Sequence, residues 1–252
     1  MTTRRRSLAF SVIELLLVVA LIGVLVALLF PTIARIRARV WDIVSMSNVR
    51  THTQSLASYA LDWDDAFVHF TRPDADATIL GACGDRDAYR YFANSAFWYL
   101  PLAESYYGSC QAEPLYIPSG FDEAIEENRR PWDYFLTSTA ITTPAYWNLE
   151  TRTGRDQWGT QRFDQVRFAS AKAVITESAI SPLPNGDQAS RFIGLGMADG
   201  SAGRFSRIEL TAPIATGEGV IHNQWIFVDG RYGLHTPDGL LGRDVSRTEQ
   251  RP

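Results

Sequence analysis

The chain opens with its longest hydrophobic run. From Phe10 to Phe30 it reads FSVIELLLVVALIGVLVALLF, apolar apart from Ser11, Glu14 and Gly23. About 20 apolar residues match a hydrocarbon core of roughly 30 Å. In lipid only a helix satisfies its own backbone groups in a single span, so residues 10–31 are predicted to form a transmembrane helix. Past Pro31 the pattern becomes periodic. Ile33, Ile36, Val40, Ile43, Met46, Val49, Leu56 and Ala60 largely follow three- and four-residue steps. Such steps place one apolar stripe on a helix, here with Arg35, Arg39, Asp42 and Asn48 off it. Pro31 removes a backbone donor and is expected to kink the helix rather than end it. A helix from Phe10 to about Leu61 is ~78 Å long. Its first half, apolar all round, needs lipid or other identical helices about it. Its second half, residues 32–62, is amphipathic and needs a globular partner.

The periodicity ends at Asp62-Trp63-Asp64-Asp65. Over residues 66–135, Pro73, Gly81, Gly84, Pro101, Gly108, Pro114, Pro118 and Gly120 interrupt every pattern. An aromatic group lies among them: Tyr89, Tyr91, Phe92, Phe97, Trp98, Tyr99, Tyr106 and Tyr107, with a helix expected from Ala88 to Leu100. These rings either fill a core or offer a surface to a sugar or a partner protein. Asp122, Glu123, Glu126 and Glu127, followed by Arg129 and Arg130, read as a solvated helical turn. From Lys172 the texture changes to strands. KAVITESA and RFIGLGM are strand-like, and residues 191–210 read as a hairpin turning at Ala198-Asp199-Gly200-Ser201. NQWIFVDGRYG offers a second hairpin at Asp229-Gly230. The closing HTPDGLLGRDV reads as a glycine-rich surface tail, in which Asp238 and Asp244 are candidates to reach a cation or a neighbouring subunit. The pattern predicts an α+β fold: a long N-terminal helix on a mainly antiparallel sheet, with residues 63–252 as the head.

Glu14 is the residue the apolar run does not explain. A carboxylate in a transmembrane segment costs about 2.5–3.5 kcal/mol at mid-helix and less near the end, and it is a functional hypothesis by default. Its best partner is an α-amino group on Phe10, created if the chain is cut between Ala9 and Phe10, belonging to the same chain or to a neighbour. Ala9-Phe10-Ser11-Val12-Ile13-Glu14, with the leucine- and valine-rich run behind it, resembles the signature of type IV prepilins and type II secretion pseudopilins. SLASYALDWDDAFV and MADGSAGRF resemble segments of the large bacterial pseudopilin-like proteins. Two positions depart from the usual pattern: Ala9 stands where a glycine is usual, and Ser201 where a histidine is frequent.

That resemblance implies a pilin-like α+β subunit with a leader at 1–9, a transmembrane and assembly helix at 10–31, its amphipathic continuation at 32–62 and an extracytoplasmic head. It implies a prepilin peptidase and methyltransferase that cuts before Phe10 and methylates the new amine. It implies Glu14 pairing with the N-terminus of an adjacent pilin or pseudopilin subunit, in a homo- or hetero-filament. Gly23 and Pro31 fall where members commonly carry a glycine and a kinking proline. The implied location is the inner membrane, single-pass, with the head in the periplasm, followed by an extracytoplasmic filament. The large head favours a minor subunit, since bulk limits helical repetition.

Charge and composition narrow this picture. The apolar run is too long for the core of a cleaved secretory signal, and no A-x-A-like site follows it. Arg4, Arg5 and Arg6 precede the span while Arg35, Arg37 and Arg39 follow it. The positive-inside count is therefore balanced, and orientation rests on the resemblance. A net charge of −4 gives no reason to expect a nucleic-acid partner. Of 24 basic residues only Lys172 is a lysine. In an oxidising periplasm Cys83 and Cys110 are expected to pair, closing a loop worth roughly 3 kcal/mol; two free thiols are the alternative. Asp62, Asp64 and Asp65 are candidates for calcium, against a plain solvated helix exit. His52, His69, His222 and His235 show no zinc-protease spacing, and there is no nucleophile elbow, P-loop or dinucleotide-binding glycine pattern. No catalytic residues are assigned, and no cofactor beyond the calcium candidate. Two other readings stay open: an anchored module that binds polysaccharide or secreted cargo, and an anchored ectoenzyme.

Overall fold

A computed structural model describes residues 11–69, 78–80, 86–88, 94–118, 133–153, 156, 159, 161–177, 192–214 and 232–246. The chain divides into two compact units, Met1–Asp42 and Ile43–Pro252.

The first unit is built on the start of helix α1 (Val12–Asp62). The helix continues through Pro31, and every apolar side chain from Val12 to Phe30 is exposed. Among the described residues, α1 is one helix long and apolar enough to cross a membrane.

The second unit is α+β. After β1 (Thr78–Leu80), β2 (Arg86–Ala88) and the one-turn α2 (Asn94–Phe97) come the strands of the main sheet: β3 (Tyr134–Leu136), β4 (Ala173–Glu177), β5 (Phe192–Met197) and β6 (Ala202–Ser206). They pair in the order β3-β4-β5-β6, every neighbour antiparallel. β1 and β2 form a separate antiparallel pair. The 191–210 hairpin forms as expected. Gly196 faces Ala202, Met197 donates its N–H to the Ser201 carbonyl (2.7 Å), and Gly200 takes a φ of +84°, which a glycine accepts without a Cβ penalty. Residues 223–231, which hold the turn of the second expected hairpin, lie outside the described residues, as does the acidic turn at 121–130.

Helix and sheet meet through side chains of the second unit. Residues buried on α1 are Ser45, Asn48, Val49, His52, Thr53, Leu56, Tyr59 and Ala60. This corrects the expected stripe. Ile33, Ile36, Val40 and Ile43 are exposed, and the buried face begins with a serine and an asparagine. β5 accepts the helix closely because it carries glycines. A Cβ on Gly196 would collide with the Thr53 methyl and stand 2.9 Å from Val49 Cγ1.

Two further expectations are corrected. The Ala88–Leu100 helix is replaced by β2, the four residues of α2 and a 3₁₀ turn at Leu100–Leu102. Phe97, Trp98 and Tyr99 are consecutive and all buried, a pattern no single helix face provides. The closing tail is not a surface loop. Leu234, His235, Thr236, Leu240, Asp244 and Val245 are buried, and Asp244 and Val245 both donate N–H bonds to the Ala171 carbonyl, at 2.8 and 3.1 Å.

Candidate functional site

The candidate assembly site is the start of α1. Ser11 precedes the first helical residue, and its hydroxyl accepts the Ile13 N–H at 3.3 Å. Glu14 reaches back, and its Oε2 accepts the Ser11 N–H at 2.9 Å. Together these bonds satisfy two of the N–H groups a helix start leaves open, with Glu14 making the return bond of a capping box while the serine takes the second rather than the third helical N–H. The carboxylate also lies at the positive end of the helix dipole. The S-x-x-E pattern of such a helix start is present in Ser11-Val12-Ile13-Glu14, and it gives Glu14 a local backbone partner besides the α-amino group expected at Phe10. The Glu14 carboxylate is therefore held on the backbone of Ser11, the residue next to position 10, by local geometry alone. Ala9 and Phe10 lie outside the described residues.

At the far end of α1 the three calcium candidates are committed to protein partners. Asp62 Oδ2 accepts the Tyr106 hydroxyl at 2.6 Å, which pushes that phenol up to about 12. Asp64 Oδ2 accepts Arg162 Nη1 at 2.8 Å, and Asp65 stands 3.8 Å from Arg162 Nη2. Among the described residues no three His, Cys, Asp or Glu side chains are grouped to hold a metal ion. The backbone explains the acids. Asp65 N–H returns to the Ala60 carbonyl (2.8 Å) with Asp64 at φ +55°, a Schellman-type helix stop, and Asp65 itself is at φ +58°. Aspartate tolerates that left-handed region better than most residues.

Between α1 and the sheet lies a buried polar network. Ser45 donates to Glu177 Oε1 and shares a hydrogen bond with the Tyr134 hydroxyl at 3.1 Å. Arg204 on β6 clamps both oxygens of Glu177, at 2.7 and 3.1 Å. Asn48 Nδ2 donates to the Tyr116 carbonyl at 3.2 Å. Desolvation pushes the Tyr134 phenol up. One turn along, His52 is fully enclosed by Trp98, Tyr107 and Tyr134, with ring centroids 5.0, 5.7 and 4.6 Å away. Burial pushes its imidazole down to about 3, with the Pro114 carbonyl opposing.

A second buried pair closes the tail. Lys172 Nζ, fully buried, sits 3.0 Å from Asp244 Oδ2 and donates to Thr236 Oγ1 at 2.9 Å. Asp244 also accepts the Ala173 N–H (2.8 Å) and the Thr236 hydroxyl. Burial pushes the Lys172 ammonium down and the Asp244 charge opposes it. These groups are saturated by one another, which fits a structural lock. Asp238, by contrast, is the left-handed residue (φ +62°) that opens the 3₁₀ turn Gly239–Leu241.

Cys110 is disulfide-bonded; the chain's other cysteine, Cys83, lies outside the described residues. Of the aromatic group, Phe97, Trp98 and Tyr99 are in the core, Tyr106 and Tyr107 pack against it half-buried, and Tyr89, Tyr91 and Phe92 lie outside the described residues. No family model, curated protein or solved structure matches this chain.

Proposed function

We propose that this chain is the precursor of a pilin-like filament subunit, anchored by α1 and cut between Ala9 and Phe10. One observation carries the reading: a helix whose first half is apolar and exposed, and which in that half carries one carboxylate, held at the N-terminal end with Glu14 Oε2 on the Ser11 N–H at 2.9 Å. An amine released at residue 10 arises one residue from that carboxylate. The Glu14 charge then pairs with the N-terminus of its own chain in lipid, and with that of a neighbour when helices replace lipid. In a bundle of low dielectric an unpaired carboxylate is costly, so the pairing favours a fixed stagger between subunits. Methylation of Phe10 and a place in a type II secretion pseudopilus or type IV pilus-like filament, as a minor subunit, follow from the resemblance of residues 9–14. The prepilin peptidase and the other filament subunits are its partners.

Mass spectrometry of the N-terminus, on protein taken from its native membrane, tests the proposal. The expected chain begins at N-methyl-Phe10. A chain beginning at Met1 or Thr2 refutes processing and returns Glu14 to the role of a helix cap on a plain anchor.

A further inference from the structure

We infer that residues 35–41 form a collar that binds the phosphates of anionic phospholipid headgroups on the head side of the membrane; this rests on the reading that α1 is a membrane anchor. From Leu15 to Ala34 the helix carries no charge, and the first charges after it are Arg35, Arg37 and Arg39, all exposed. Helical rise places Arg35 ~7.5 Å and Arg39 ~13.5 Å beyond Phe30. The headgroup zone is roughly 5–7 Å thick on each side, and arginine stems let the guanidinium lean back toward it. At about 100° per residue, Arg35 and Arg39 lie some 40° apart, and Arg37 lies on the opposite side. Lipids on either side of the helix therefore meet a guanidinium. Arg37 also stands over the ring of Trp41, 6.0 Å from its centroid, and tryptophan favours the membrane interface.

The charge balance selects the partner. Residues 32–42 hold three arginines and one acid, Asp42, a net of +2, in a chain whose total is −4. Guanidinium forks bind phosphate oxygens in pairs. A cationic ring on the head side also works against the positive-inside rule, and binding anionic headgroups offsets that bias locally. The collar lies outside residues 1–9, so removal of the leader leaves it intact.

The test uses the full-length chain in phosphatidylcholine nanodiscs doped with spin-labelled phosphatidylglycerol or spin-labelled phosphatidylcholine. The reading is the relative association of the two labels with the protein. Wild type is expected to prefer phosphatidylglycerol by about fivefold or more at low salt, with the preference falling in high salt. Arg35→Gln/Arg37→Gln/Arg39→Gln is expected to abolish most of it at equal incorporation, while Arg4→Gln/Arg5→Gln/Arg6→Gln keeps it. No preference in wild type, or an unchanged one in the collar variant, overturns the inference. Inorganic phosphate that competes beyond chloride of equal ionic strength reassigns the collar to a soluble anion. A chain that does not enter nanodiscs at all refutes the anchor reading itself, a separate readout from lipid preference.

Discussion

His52 makes the fold sensitive to acid, by an amount that follows from its surroundings. The imidazole is fully buried, walled by Trp98, Tyr107 and Tyr134, and pushed from an ordinary 6.5 to about 3. Its folded value lies below its unfolded one, so between those two values the unfolded chain binds the proton and the folded chain does not. Stability is then full above about pH 7 and is lost as pH falls, until the curve flattens near pH 3. At 1.36 kcal/mol per unit, the loss between pH 7.5 and pH 4.5 is about 2.5–3 kcal/mol, and near pH 3 it is about 4 kcal/mol. The groups facing the ring are the Tyr107 hydroxyl, 2.8 Å from Nδ1, the Pro114 carbonyl and the rings of Trp98 and Tyr134. Urea unfolding of the full chain in detergent, followed by near-UV circular dichroism at both pH values, measures the slope. His52→Gln keeps a polar group beside Tyr107 and removes the titration. The variant is expected to be less stable at pH 7.5 but to lose about 2.5–3 kcal/mol less than wild type on acidification. Equal pH slopes for the two proteins refute the argument.

Other expectations follow from the same contacts. Glu14→Gln keeps an oxygen to cap Ser11 but removes the charge, whereas Glu14→Ala removes both; filament assembly lost in both variants supports ion pairing, and assembly restored in Gln assigns Glu14 to capping alone. Gly196→Ala puts a methyl 2.9 Å from Val49 Cγ1 and against the Thr53 methyl, so it is expected to lower stability by about 1–3 kcal/mol in the same unfolding assay. Lys172→Met leaves Asp244 buried without its cation and is expected to cost about 3–5 kcal/mol, with the double variant Lys172→Met/Asp244→Leu recovering part of the loss; additive losses refute the coupling.

The parts of the fold legible in the sequence were those with a single period. The uninterrupted apolar run and the three- and four-residue steps gave α1 to within two residues of either end, because one long helix imposes one pattern. β5 and β6 were legible because Ala198-Asp199-Gly200-Ser201 supplies a turn where the strands need one. β3 was not legible as a strand, since it spans only Tyr134, Phe135 and Leu136, too short a run to show a period. The helix–sheet contact was misplaced because its first buried residues are polar. Ser45 and Asn48 are enclosed through partners as far away as Glu177, and pattern counting sees only apolar faces. The tail was misread for the same reason. An aspartate among glycines looks solvated until the only lysine in the chain is found beside it. At the candidate assembly site the S-x-x-E capping signature lay in plain view, masked by the more conspicuous charge in an apolar run.

The bond between Ala173 N–H and Asp244 links residues 71 positions apart. Synthesis at about 5–20 residues per second delivers Asp244 some 4–14 s after Lys172. β4, β5 and β6 are all made within that interval, yet the sheet still lacks the carboxylate that makes Lys172 tolerable in the interior, so the ammonium is expected to stay in water and to keep the first residue of β4 from closing. The anchor, made first, has long since left the ribosome. The head therefore completes last-in, and a chain stalled or clipped before residue 244 is expected to remain loose at the start of β4 and open to proteases, whereas one extended past residue 246 closes normally.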